Sequence, residues 1–424
     1  MRNHSIQMEI GSSFRACNIG PNTQVRGSLG LLLVISLGIH QPAFAASARS
    51  ERGATLLLKQ SAPVSPLLKL PSEQQIPELR ELALANATQP ETVRFPETLL
   101  EDGHTVRLAV RQRGSGNHDR VLVMIHGVLA DHDAWRYVTG ELGRDFDLWL
   151  IDLPGCGDSD KPDPDLLGPM GYSPTAMAER ALQALQQCLA CRPQSPRLTI
   201  VAHSLGGMTA LRMMSDLILR ERYAAVLKQI DGMVLLAPCD AAVHQEIPKF
   251  TKVIALRGYE AAIGHTLGII EAAVAESEKA GVCLQNRATR ETAVKIASIL
   301  TRAEDRRAAQ AMLRQAVPWR EKEHRPDWAS IKRLETDYGN IDVPCLIVWG
   351  QCDETLPVSM GYKLKDQIAG AKLIVLPDTM HSIQTERPKD CAQIIREFGA
   401  GLLPSQSILA TRSATAIAEV PAGD

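Results

Sequence analysis

Three residue types at three places in this chain could together perform nucleophilic chemistry on a carbonyl. Ser204 lies in Leu198-Thr-Ile-Val-Ala-His-Ser-Leu-Gly-Gly207, where a short apolar run leads into small residues that can open a helix. A serine on such a sharp strand-to-helix turn is pushed out of the backbone, so that a base and a substrate can both reach it. The positions two before and two after, Ala202 and Gly206, must be small because that turn brings strand and helix close together. The usual pattern has glycine first, so Ala202 is a mild departure and the signal acquires its meaning from partners elsewhere. His381, after the apolar run Lys372–Leu376, is the candidate base. Asp353, just past Pro344–Trp349, is the candidate that orients it, with Asp240 and Asp378 as alternative positions for the acid. The chain order Ser, Asp, His suits acyl transfer on an open α/β sheet. Two backbone N–H groups are candidates for an oxyanion hole: Val128, in the loop carrying His126 and Gly127, and Leu205, directly after the serine. His126 and His203 read as structural or pocket-lining, because the base must come from the last loop. Trp135 and Trp149 read as core, and Asp152 and Asp158 as braces of their own loop.

These residues need elements that bring them to one place. Val121–Ile125, Phe146–Ile151, Leu198–Val201, Gly232–Leu236, Pro344–Trp349 and Lys372–Leu376 are short, apolar and β-branched, and most are separated by helix-length segments. Runs apolar on both faces belong to a parallel sheet covered by helices. The expected fold is therefore α/β, a mostly parallel central sheet with helices on both faces. Tyr172–Leu189 predicts one such helix, with Ser173 as N-cap and Pro174 at its first position. Pro388–Gly399 predicts the last. Asp-Gly at 102–103, between alternating apolar runs from Arg94 to Arg113, predicts a hairpin and an antiparallel start to the sheet. Between Asp240 and about Asp337 the strand pattern stops and helical spacing takes over.

Four motifs in order now resemble one family: His126-Gly127; Asp152-Leu-Pro-Gly-Cys-Gly-Asp-Ser159; Ala202-His-Ser-Leu-Gly206; and Gly350-x-x-Asp353 with His381. Over Arg94 to Leu402 the chain is similar to α/β-hydrolase-fold proteins with a helical cap. The resemblance implies a Ser204–His381–Asp353 triad, an oxyanion hole from Val128 and Leu205, and a lid. The implied organisation is a first core part at 94–239, a cap at 240–337 and a second core part at 338–402, with a low-complexity tail at 403–424. A serine nucleophile sets it apart from relatives of this fold that use an aspartate. The expected activity is hydrolysis of carboxylic esters through an acyl-enzyme. An acyltransferase or a C–C bond hydrolase would carry the same triad, and a binding protein would need that triad broken or its pocket blocked.

Composition bounds the partners and the compartment. At 424 residues, with 45% hydrophobic content and a net charge of -2, the chain can bury a large core and offers nothing to attract nucleic acid. The expected partner is a small-molecule ester or acyl substrate, without metal or organic cofactor. Arg15 and Arg26, the apolar run Leu29–Ile39 and Ala43-Phe-Ala45 resemble a secretory leader over residues 1–45, followed by a Ser/Pro/Ala-rich linker to residue 93. The run is shorter than the ~20 residues of a membrane span. The expectation is export to the periplasm or medium, with no stable span once the leader is removed; the alternative is anchoring by an uncleaved leader. Export would permit disulfides among the eight cysteines beyond Cys17. Cys188-Leu-Ala-Cys191 reads as helix-end cysteines or a local disulfide rather than a redox pair.

Overall fold

The structure, a computed structural model, describes residues 90–243 and 302–401, apart from positions 102, 324 and 354, together with 295, 296 and 299. Twelve strands follow in chain order: β1 Glu91–Arg94, β2 Glu97–Leu99, β3 Thr105–Arg107, β4 Val110–Arg113, β5 Arg120–Ile125, β6 Asp147–Ile151, β7 Arg197–His203, β8 Ile230–Leu236, β9 Trp319–Arg320, β10 Arg325–Pro326, β11 Cys345–Gly350 and β12 Lys372–Leu376. Eight of them form one sheet in the order β1-β4-β6-β5-β7-β8-β11-β12. From β6 to β12 every neighbouring pair is parallel, while β4 runs antiparallel to both β1 and β6.

The central strands are buried end to end because both faces of the sheet are covered. Val121 to Ile125 of β5 and Leu148 to Ile151 of β6 are inaccessible or nearly so, and Trp149 and Trp349 lie in the same core. The covering helices arise where expected. Pro174–Ala190 starts at Ser173, whose side chain accepts the Ala176 N–H at 3.2 Å, and it buries Met177, Ala181, Leu185 and Cys188 along one stripe. It packs against the helix Leu205–Ser215, and Pro388–Gly399 closes the described chain with Cys391, Ile394 and Ile395 inward. Among the described residues no helix is long and apolar enough to cross a membrane.

The predicted hairpin exists, with a different neighbour. Gly103, at φ 76°, donates to the Leu100 carbonyl, and β2 pairs with β3. That pair is a sheet of its own, and β1 with β4 supplies the antiparallel start of the large sheet. Side chains, not a strand, satisfy the hairpin's outer backbone. Gln183 bonds both the N–H and the carbonyl of Leu99 at 2.8 Å. Fully buried Arg180 reaches the Thr98 carbonyl and hydroxyl and the His104 carbonyl.

Of the segment 240–337, residues 244–294, 297, 298, 300, 301 and 324 lie outside the described residues, as do the expected leader at 1–45, the expected linker as far as residue 89, residue 402 and the expected tail at 403–424. The linker was expected to run to residue 93, but its end is already part of the sheet, since Glu91–Arg94 form β1 against β4. What is described there includes two helices, Ala303–Gln315 and Trp328–Asp337, and the two-residue ladder of β9 and β10 between them. That ladder is the one interruption of the expected helical pattern among the described residues.

Candidate active site

A parallel sheet presents the carboxyl ends of its strands at one edge, and every sequence-predicted site residue follows such an end. Ile125 of β5 pairs with Ala202 of β7, so Gly127 and Ser204 emerge side by side. A Cβ built on Gly127 would stand 3.0 Å from that of Ser204. Gly350 of β11 pairs with Leu376 of β12, which sets the Asp353 and His381 loops next to each other. The two loops are stitched together by Gln351 N–H to the Leu376 carbonyl and Cys352 N–H to the Thr379 carbonyl, both 2.9 Å.

Ser204 holds φ 52° and ψ -120°, a backbone conformation a non-glycine residue adopts only when its surroundings impose it. The next helix starts at Leu205, and Gly206 packs onto β5: a Cβ there would lie 2.4 Å from the His126 carbonyl oxygen and 2.5 Å from that of Ile125. Ala202 is wholly buried, so its methyl group fills the space without blocking the turn.

Asp353 and His381 meet directly. Asp353 Oδ2 accepts from His381 Nδ1 at 2.8 Å, while its Oδ1 accepts the N–H groups of Thr355 and Leu356 at 2.9 and 2.8 Å. Both carboxylate oxygens are therefore committed, and Nδ1 is the imidazole nitrogen that Asp353 holds. Of the three carboxylates considered for this place, Asp353 is the one bonded to His381; Asp240 instead caps its own turn through the Ala242 N–H at 2.9 Å. Burial pulls the His381 pKa down, but the charge and hydrogen bond of Asp353, with the charge of Glu386, outweigh it and hold it above the ordinary imidazole value. Ser204 Oγ makes no hydrogen bond among the described residues, so the serine and imidazole share the sheet edge without yet being joined.

The Val128 and Leu205 N–H groups have no hydrogen-bond acceptor among the described residues. Both residues, with Ser204, line a cavity of about 1270 Å³ whose wall also carries Met208, Cys239 and Tyr338. His381 and Asp353 do not line it, although Thr355 and Leu356 beside Asp353 do. His126 is a brace: it is buried, its Nδ1 donates to the Gly127 carbonyl at 2.7 Å and its Nε2 accepts the Leu153 N–H at 3.0 Å. Asp152 braces two loops, accepting the N–H of His132 from the one after β5 and that of Asp158 from its own. Asp158 itself pairs with Arg111. His132, Asp152 and Asp158 stand close enough to suggest a metal site, but these internal bonds already occupy them.

Comparison with known proteins agrees with this architecture. Residues 122–394 match the sequence profile of the alpha/beta hydrolase family. The chain belongs to that family. It is 25% identical over 329 residues to an uncharacterised protein of Mycobacterium tuberculosis, covering 75% of this chain and 84% of that one. It is 24% identical over 292 residues to mouse monoacylglycerol lipase ABHD6, covering 68% and 78%. Among solved structures it resembles Est816, an N-acyl homoserine lactone degrading enzyme, with TM-score 0.51, 22% identity and coverage of 72% and 100%. A bacterial membrane phospholipase A gives TM-score 0.51 at 18% identity, with 82% and 97% covered.

Two residues of this alpha/beta hydrolase carry more of the site than its sequence suggested. His203, read as structural or pocket-lining, contacts the loop that carries His381, and Glu386 gave no signal at all. A glutamate five residues past a histidine, before Arg387-Pro388, reads as an ordinary helix-end charge.

Proposed function

We propose that this alpha/beta hydrolase is a serine hydrolase of carboxylic esters. The observation that carries the reading is the 2.8 Å His381–Asp353 pair at the same sheet edge as a serine held at positive φ. In this mechanism Ser204 turns its hydroxyl to His381 Nε2 and attacks the substrate carbonyl carbon as the imidazole takes its proton. The tetrahedral oxyanion is received by the Val128 and Leu205 N–H groups, each typically worth ~3 kcal/mol of barrier. His381 then gives the proton to the leaving alcohol, and water, deprotonated by the same imidazole, releases the acid. Asp353 fixes the tautomer and stabilises the imidazolium. No step calls for a metal or organic cofactor.

The cavity beside Ser204 is where the acyl or alcohol group would sit, and the name of the monoacylglycerol lipase relative agrees with an ester substrate. Residues 240–337 are read as the lid: Ala311, Trp319 and Leu334 from this segment line the cavity. The leader at 1–45 would export the enzyme. The deciding experiment is labelling by a fluorophosphonate alongside hydrolysis of p-nitrophenyl esters. Wild type is expected to do both, and Ser204→Ala to lose labelling and about 10⁶-fold of kcat. Ester hydrolysis that survives in Ser204→Ala would overturn the assignment.

A further inference from the structure

The backbone on which His381 sits is held at three consecutive residues by two buried side chains. Glu386 accepts the Met380 N–H through Oε2 at 2.7 Å and the Ser382 N–H through Oε1 at 2.8 Å. The His381 carbonyl is bonded to His203 Nε2 at 3.0 Å. Because that carbonyl can only accept, Nε2 must carry the proton, which fixes the His203 tautomer. His203 and Glu386 are 7% and 6% exposed, so neither bond competes with water.

Among the described residues neither side chain has a hydrogen-bond partner outside the His381 loop. A carboxylate buried to this extent normally requires a cation beside it; the hydrogen bonds of Glu386 among the described residues are those two backbone N–H groups, and the charge that eases its burial is that of the His381 ring. His203 leaves Nδ1 buried without a partner, at 3.2 Å from where a Cβ on Gly127 would be. Its ring lies 4.8 Å from that of His381, tilted by 49°. Burial pushes the His203 pKa down to about 3, with the positive end states of His381 and His126 adding to it, so the ring stays neutral beside an imidazolium. His203 is also the residue directly before Ser204. Through one side chain the serine's own strand end grips the base loop, wedged between it and Gly127.

We propose that His203 and Glu386 are positioning residues that together set the distance from the His381 ring to Ser204. The proposal rests on the serine-hydrolase reading, and its test separates the two. Leu at 203 fills the space without a donor, Gln restores an N–H, and Glu386→Gln leaves one acceptor where two are used. Kinetics with a p-nitrophenyl ester are read beside the downfield proton NMR signal of His381 Nδ1–H in its bond to Asp353. His203→Leu and Glu386→Gln are expected to lower kcat by about 10- to 100-fold with KM within about twofold, as for a small misplacement of a reacting group. The downfield signal should weaken in both. His203→Gln should recover most of the rate and the signal. Wild-type rate and signal in His203→Leu would overturn the proposal, as would equal losses in the Leu and Gln variants. If wild type hydrolyses no ester, the functional reading fails, and the NMR comparison still decides the positioning roles.

Discussion

In the proposed mechanism the chemistry of this site comes down to one proton on His381. Its pKa is raised even though burial opposes the charge, because Asp353 and Glu386 favour the imidazolium more strongly. A raised pKa means that the protonated ring contributes stability at pH below its unfolded value, and that this contribution disappears as pH rises through the folded value. For the proposed catalysis the sign is the reverse, since His381 as general base would work only when neutral. Ester hydrolysis should therefore rise with pH, and the midpoint of its acid limb in kcat/KM should lie above the ordinary value of 6.5. Asp353→Asn should move that midpoint down and lower kcat by about 10⁴-fold, because the tautomer is no longer fixed. A midpoint unmoved by Asp353→Asn would show that another group limits the reaction.

At the scale of elements, the site exists because strand ends and a helix start are forced together. At Gly206 the helix Leu205–Ser215 lies close against the carbonyls of Ile125 and His126 at the end of β5. Gly206→Ala should cost about 1–3 kcal/mol in urea unfolding and abolish fluorophosphonate labelling, since a Cβ at 2.4 Å must push the turn away. Gly339→Ala is the matched control: nothing lies within 4 Å of its Cβ position and its φ is negative, so a change within about 0.5 kcal/mol is expected. Equal costs for the two substitutions would remove the steric argument. The elbow was legible in sequence because small residues flank a serine at a strand end, and the central strands because each is apolar on both faces. The lodging of β2 and β3 was not legible. It depends on Arg180 and Gln183, more than 70 residues away, whose side chains replace a neighbouring strand. The grip of Glu386 on the His381 loop was hidden for a similar reason, since a charged residue buried by backbone donors looks in sequence like one in solvent.

At the scale of the whole molecule, the described residues build one large core around a mostly parallel sheet, and four of the described cysteines belong to it. Cys156, Cys188, Cys345 and Cys391 are buried, and none of the seven described cysteines is bonded to another. Cys188, whose thiol burial pushes up to about 12, faces the core from its helix, while Cys191 caps the end of that helix in solvent. The helix-end reading of this pair holds, and a local disulfide between them is absent. A thiol that hardly ionises is a poor nucleophile and a poor redox partner. Thermal unfolding should therefore give the same midpoint with and without a strong reductant. A native disulfide is typically worth 2–5 kcal/mol, and at roughly 2–4 °C per kcal/mol for a large domain its reduction would lower the midpoint by several degrees. Such a drop would mean that bonds between cysteines, and not apolar burial alone, hold the fold together.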